Sequence, residues 1–296
     1  MTRLFFITIV AFSFVASGCG NSDKTNNTTT KAKSQEKQLN ISILLDLSDR
    51  ISPKINPDAQ KNDIESIKII TEFFKSNMTD LGAYKSKGKI KIFFSPPPAN
   101  TDINSIVSKL IIDCSKMDNK GRKEVFDSIT ELYVRNLVGI YQQTIATSDW
   151  AGSDIWRFFK DDVKDFCIEK DTNYRNVLII LTDGYLYHEQ SKFNNKNRFS
   201  YLLGSSNLNP YRNQNWEQLI EQNDFGIKTE REDLSDIEVL VLEIKAENKS
   251  NKIDEDILRF LWKKWFKEMK VSHYDAYPSN EPAYTKTRIG NFLNPK

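Results

Sequence analysis

Residues 177–181 read Val-Leu-Ile-Ile-Leu, five aliphatic side chains in a row between Asn176 and Thr182-Asp183-Gly184. A strand with one wet face alternates apolar and polar residues, whereas an unbroken run needs apolar cover on both faces. A central strand of a mainly parallel sheet, held between two layers of helices, supplies that cover. Asn40-Ile-Ser-Ile-Leu-Leu-Asp46 is a second run of this kind and also ends in an acid, and Ile237-Glu-Val-Leu-Val-Leu-Glu-Ile244 is a third. Residues 89–94 alternate like a strand and stop at Pro96-Pro97-Pro98, and 272–277 read as a last edge strand.

Helical spacing fills the intervals. Ile64, Ile67, Ile70, Phe73 and Phe74 share one face, as do Val125, Ile129, Leu132, Tyr133, Leu137 and Ile140 within 122–146. Residues 155–168 predict a shorter helix. Residues 253–269 predict a strongly amphipathic one, whose Ile257, Leu258, Leu261, Trp262, Trp265 and Phe266 form a core stripe rather than a binding box. Strands alternating with helices predict an α/β fold, a three-layer, doubly wound, mainly parallel sheet. Only 185–235 breaks the alternation: rich in Asn, Tyr and Phe, it follows the strongest strand directly. Its aromatics Tyr185, Tyr187, Phe193, Phe199, Tyr201, Tyr211 and Trp216 predict an ordered insertion that shapes a surface.

The charge balance, 42 Lys+Arg against 40 Asp+Glu in 296 residues, provides no electrostatic footprint for nucleic acid. Three cysteines exclude a disulfide-dense scaffold, and a mean hydropathy of −0.54 excludes a polytopic membrane protein. The first residues tell of export. Arg3 precedes an apolar stretch from Leu4 to Val15 that is short for a bilayer span, and Ala16-Ser17-Gly18-Cys19 follows. Small residues immediately before a Cys resemble the lipobox of bacterial lipoproteins, with Ala16 where that box more often has Leu. The resemblance implies a signal peptide over 1–18, acylation at Cys19, and a bacterial cell-envelope protein anchored to a membrane by lipid, on its periplasmic or surface face. Residues 19–38 carry almost no large apolar side chain and predict a flexible tether, leaving 39–296 as the folded domain. Cys114 and Cys167 then either pair as a disulfide or lie buried and unpaired; the sequence leaves both open.

Three segments carry chemistry: Asp46-Leu47-Ser48-Asp49-Arg50 after the first strand, Gly152-Ser153-Asp154 before a helix, and Thr182-Asp183-Gly184 after the strongest strand. In a doubly wound sheet the carboxyl ends of neighbouring central strands open on one crevice, which would bring Asp46 and Asp183 together. Two carboxylates in a partly dry site repel and need a proton or a cation to coexist. Hydroxyls from Ser48 and Ser153 complete an oxygen-only donor set suited to Mg²⁺ or another divalent cation.

A strand ending D-x-S-x-S, a later G-T-D/N before a helix and a strand ending T-D-G resemble the marks of von Willebrand factor A (VWA) domains, in order and spacing over roughly residues 39–280. The resemblance implies a Rossmann-like VWA fold and a metal-ion-dependent adhesion site. Asp46, Ser48, Ser153 and Asp183 would be its metal ligands, and an acidic group of a protein partner would complete the coordination. Ser153 stands where the family has Thr, and Arg50 stands where it has its second Ser. Arg offers only donors. It would modify the site either by pairing with Asp46 or Asp183 in place of the cation, or by pointing outward and leaving a weakened site.

Enzymatic readings find less support. Haloacid dehalogenase-like phosphatases also end a strand in a nucleophilic Asp, which would be Asp46, but have a second acid where Ser48 stands. No G-x-S-x-G occurs, and His188 and His273 are the only histidines. Zinc spacing, a Walker loop and G-x-G-x-x-G are absent. The expectation is a non-enzymatic envelope lipoprotein that binds a protein partner and no nucleic acid, the alternative being a metal-free structural lipoprotein.

Overall fold

The structure, a computed structural model, describes residues 37–147, 150 and 152–294. The leader, Cys19 and the tether up to residue 36 lie outside the described residues. Strand β1 spans Gln38–Leu45, and the Gln38 N–H donates to Asn173 O at 2.9 Å. The order continues α1 (Ala59–Asp80), β2 (Lys89–Phe93), α2 (Thr101–Ser108), β3 (Ile111–Asp113), α3 (Asn119–Thr147), α4 (Ile155–Arg157), α5 (Val163–Cys167) and β4 (Tyr174–Leu181). After β4 come β5 (Asn194–Asn195), β6 (Arg198–Phe199), α6 (Trp216–Gln222), β7 (Gly226–Ile227), β8 (Glu238–Ile244), α7 (Ile253–Glu268), β9 (His273–Pro278) and α8 (Pro282–Leu293).

The sheet runs β3-β2-β1-β4-β8-β9, parallel throughout except for β3, which is antiparallel to β2. The α/β class, with a six-stranded mainly parallel sheet between helices, is thus the observed one. Central strands β1, β4 and β8 are buried along nearly their whole length, which is why they carry continuous aliphatic runs. Alternate side chains feed two separate cores. Ile41, Ile43, Val177, Ile179 and Leu240 pack with Ile67, Ile70, Phe74 and Leu137 of α1 and α3 and with Ile289 of α8. Leu44, Leu178, Ile180, Val239 and Val241 pack with Phe158, Phe159 and the Trp262, Trp265 and Phe266 stripe of α7.

The helix expected over 155–168 is interrupted: α4 and α5 are joined by a π turn over Phe158–Asp162 that presents Phe158 and Phe159 to the core. Residues 185–235 are folded. Beyond the small sheet β5-β6-β7, Leu186 and Leu202 exchange backbone hydrogen bonds of 3.1 and 2.8 Å. Arg212 grips the buried Asp254 of α7 through two 2.8 Å bonds, and Tyr211 stacks on Phe225 at 4.4 Å.

A disulfide between Cys114 and Cys167 is not formed: both thiols are free and buried. Cys114 belongs to the α1–α3 core and Cys167 to the α7 core, so the sheet stands between them. Burial pushes the Cys114 thiol up to about 11 and the Cys167 thiol up to about 12, so neither is a thiolate at neutral pH. In a chain carrying Cys19→Ser, a thiol reagent at pH 8 is expected to label nothing until urea unfolds the protein, and then both cysteines. Labelling of the native chain would contradict their burial.

Candidate functional site at the ends of β1 and β4

The register pairs Leu45 of β1 with Leu181 of β4, so both chains leave the sheet side by side at its carboxyl end. Asp46 N–H donates to Leu181 O at 3.1 Å, and the Thr182 hydroxyl donates to Asp46 Oδ2 at 2.8 Å. Asp46 Oδ1 accepts from Ser48 N at 2.9 Å, closing an Asx turn that starts the short 3-10 turn Asp49–Ile51. Gly184, at φ +94°, carries the chain away from β4; a Cβ there would lie 3.2 Å from Ile244.

Single β-bridges draw the second and third segments onto the first. Leu47 pairs with Gly152, and Ser153 pairs with Tyr187. Asp46, Ser48, Ser153 and Asp183 therefore sit on three loops tied into one rim. Ser48 and Asp183 are half-buried, Asp46 and Ser153 buried. The buried Ser153 Oγ has no hydrogen-bond partner among the described residues. Burial first, and the charge of Asp46 next, push the Asp183 carboxyl up to about 7; Arg50 and the Tyr185 N–H, which donates at 3.2 Å, pull the other way.

Arg50 turns inward and does reach Asp46, the first course the sequence left open, but its main carboxylate partner is not a rim acid. Its guanidinium is buried beneath the rim, where Nε donates to Asp46 O at 3.1 Å and Nη2 to Leu181 O at 2.9 Å. The carboxylate it grips is Asp63 of α1, at 2.8 Å from Nη2, whereas Asp46 Oδ2 is 3.9 Å from Nε. Tyr141 of α3 donates to the same Asp63 oxygen at 2.5 Å. Burial alone would lower the Arg50 pKa, but Asp63 and Asp46 outweigh it and hold the guanidinium above its ordinary value. Burial pushes Asp63 up while Arg50 and the Tyr141 hydroxyl pull it back. Arg50 is a brace that ties the β1 and β4 ends to α1, and its charge lies below the rim.

Asp154 is committed elsewhere: it accepts from Arg157 Nε at 3.0 Å, caps α4 through Arg157 N at 3.3 Å and takes the Ser191 hydroxyl. His188 Nδ1 lies 3.2 Å from Asp154 Oδ2, so the insertion reaches the edge of the site. Asp49 is exposed. Among the described residues no three His, Cys, Asp or Glu side chains cluster as a metal cage. A cation here would therefore draw on hydroxyls as well as carboxylates. That is the donor set present: two mutually repelling carboxylates and a buried hydroxyl without a partner fit a hard divalent ion.

No family model matches the chain, and no curated protein matches it. Among solved structures, the pilus adhesin SpaC from Lactobacillus rhamnosus GG is similar at 10% identity and a TM-score of 0.40, over 88% of this chain and 31% of the adhesin. The open conformation of that adhesin gives 10% identity and a TM-score of 0.36, over 87% and 30%. The chain thus spans less than a third of the adhesin's length.

Proposed function

We propose that this chain is a lipid-anchored protein of the bacterial envelope whose VWA-like domain binds a protein partner through a divalent cation, Mg²⁺ or a similar ion, and is not an enzyme. The observation that carries the reading is the rim itself, where Asp46 and Asp183 end adjacent parallel strands beside the unpartnered hydroxyl of Ser153. Asp46 and Asp183 would supply carboxylate oxygens and Ser48 and Ser153 hydroxyls. The cation would neutralise the carboxylates and offer a position to an acidic group of the partner. Arg50 supplies no oxygen, and its charge beneath the rim opposes a second cation, so the expected affinity is modest. A phosphatase reading is weaker, because the second acid it needs is missing where Ser48 stands.

The test is calorimetric titration of Mg²⁺ and Mn²⁺ into the full chain in detergent. Ser153→Ala is expected to weaken binding by about tenfold or more, roughly 1.4 kcal/mol, while leaving the metal-free melting temperature unchanged. Asp183→Ala is expected to abolish the heat. A native protein that shows no saturable heat would leave the metal-free alternative, in which the Arg50 charge serves in the cation's place.

A further inference from the structure

Beside the rim runs an open groove of about 430 Å³, lined by Trp156, Arg157, Lys160, Lys192, Phe193, Lys228 and Glu230 among others. Four cationic side chains there face one carboxylate, in a chain whose net charge is only +2. Arg157 is held by Asp154 and Lys228 pairs with Glu230, but Lys160 and Lys192 have no carboxylate within 4.0 Å among the described residues. Aromatic rings position these ammonium groups. Lys160 lies 5.5 Å from the Trp156 ring, Lys192 5.5 Å from Tyr187 and 5.7 Å from Tyr201, and Lys228 4.3 Å from Phe193. The groove is continuous with the rim, because Asp154, which binds Arg157 and Ser191 of its wall, directly follows Ser153.

We propose that this groove receives an acidic segment of the partner protein, laid from the rim along Arg157, Lys160, Lys192 and Lys228. The inference rests on the reading of the rim as a partner site and specifies the partner's chemistry: several carboxylates in extended chain, beyond one acid at the cation. Charge complementarity selects an anion. The aromatic rings favour a peptide over an anionic glycan, because the faces of Trp156, Tyr187 and Phe193 each carry a lysine rather than lying bare for a sugar to stack on. Burial of such a segment would also order the exposed Tyr187 and Phe193 against it.

The probe is a fluorescein-labelled peptide of alternating Glu and Ser, about ten residues or roughly 33 Å when extended. Its binding to the full chain in detergent is read by anisotropy at about 50 and 150 mM NaCl. The Gln-Ser counterpart and heparin are run alongside. The acidic peptide is expected to bind, more weakly at the higher salt, and the Gln-Ser peptide not to bind. Lys160→Gln/Lys192→Gln, which changes two exposed side chains, is expected to weaken the acidic peptide about tenfold and to leave the Mg²⁺ heat unchanged. Equal binding by native and double variant, or no binding by either, overturns the groove proposal whatever the Mg²⁺ titration gives. So does heparin binding more tightly than the peptide and being lost in the same variant, which would assign the groove to a glycan. Groove-dependent peptide binding without Mg²⁺ heat supports the groove and overturns only the cation.

Discussion

Arg50→Ser is expected to lower the unfolding free energy by about 3–5 kcal/mol, the cost of removing one partner from a buried ion pair. Asp63 has no exposed surface and is held by Arg50 and the Tyr141 hydroxyl. Without the guanidinium its carboxylate is a buried charge on the apolar face of α1, and the Asp46 and Leu181 carbonyls lose their common donor. Urea unfolding at pH 7 measures the loss. Arg50→Met combined with Asp63→Leu should recover most of it, since an apolar pair of similar volume removes both charges together. A loss below about 1 kcal/mol would mean that water or rearrangement replaces the brace. Placing a Ser at position 50 is thus first a stability change, and any change in metal binding measured on that variant alone would be confounded by unfolding.

Asp183→Asn should act in the opposite direction on the metal-free chain, raising its stability at pH 8 by about 2–4 kcal/mol after a discount for partial exposure. The folded chain keeps the Asp183 proton up to about 7, while the unfolded chain releases it near 3.8. Between those values the folded state binds more protons, so stability falls as pH rises, and the full cost is present above about 7. Well below 3.8 both states are protonated, so the difference between variant and native protein should shrink to a small remainder at pH 4 and vanish beneath it. Unfolding curves for the two chains at pH 4, 6 and 8 check this, and parallel profiles would sink it. On the proposed reading the same variant would also lose Mg²⁺ binding, so that the site would be kept at the expense of the fold that carries it.

The strands that build this rim were legible in the sequence because burial on both faces leaves an unmistakable run, and each of the two runs leads into an acid proposed as a ligand, Asp46 or Asp183. Segments with weaker signals were missed. β3 is only three residues long and runs antiparallel, and α2 and α8 carry short patterns. Asp63 could have been found: it precedes Ile67, Ile70 and Phe74 by four, seven and eleven positions and so shares their buried face. An acid there demands a partner, but spacing alone does not say that Arg50 supplies it. Tyr141, four residues after Leu137 on α3, raises the same demand for its hydroxyl. The direction of Arg50 depends on a pocket made by β1, β4, α1 and α3 together, which no local pattern encodes. His188 and Ser191 reach Asp154 from a stretch without periodicity, where proximity follows from the Leu186–Leu202 pairing.

The bridges from Leu47 to Gly152 and from Ser153 to Tyr187 bear on the pace of binding. Loops laced to one another are already arranged before a partner arrives, so docking need not wait for them to order. Association would then be set by encounter and by the attraction of the lysine groove for acid, both rapid and sensitive to salt. Discrimination between partners would fall to how long each one stays. Were the chain tethered to a membrane as proposed, that would favour sampling many passing chains and holding only those whose acidic stretch fits.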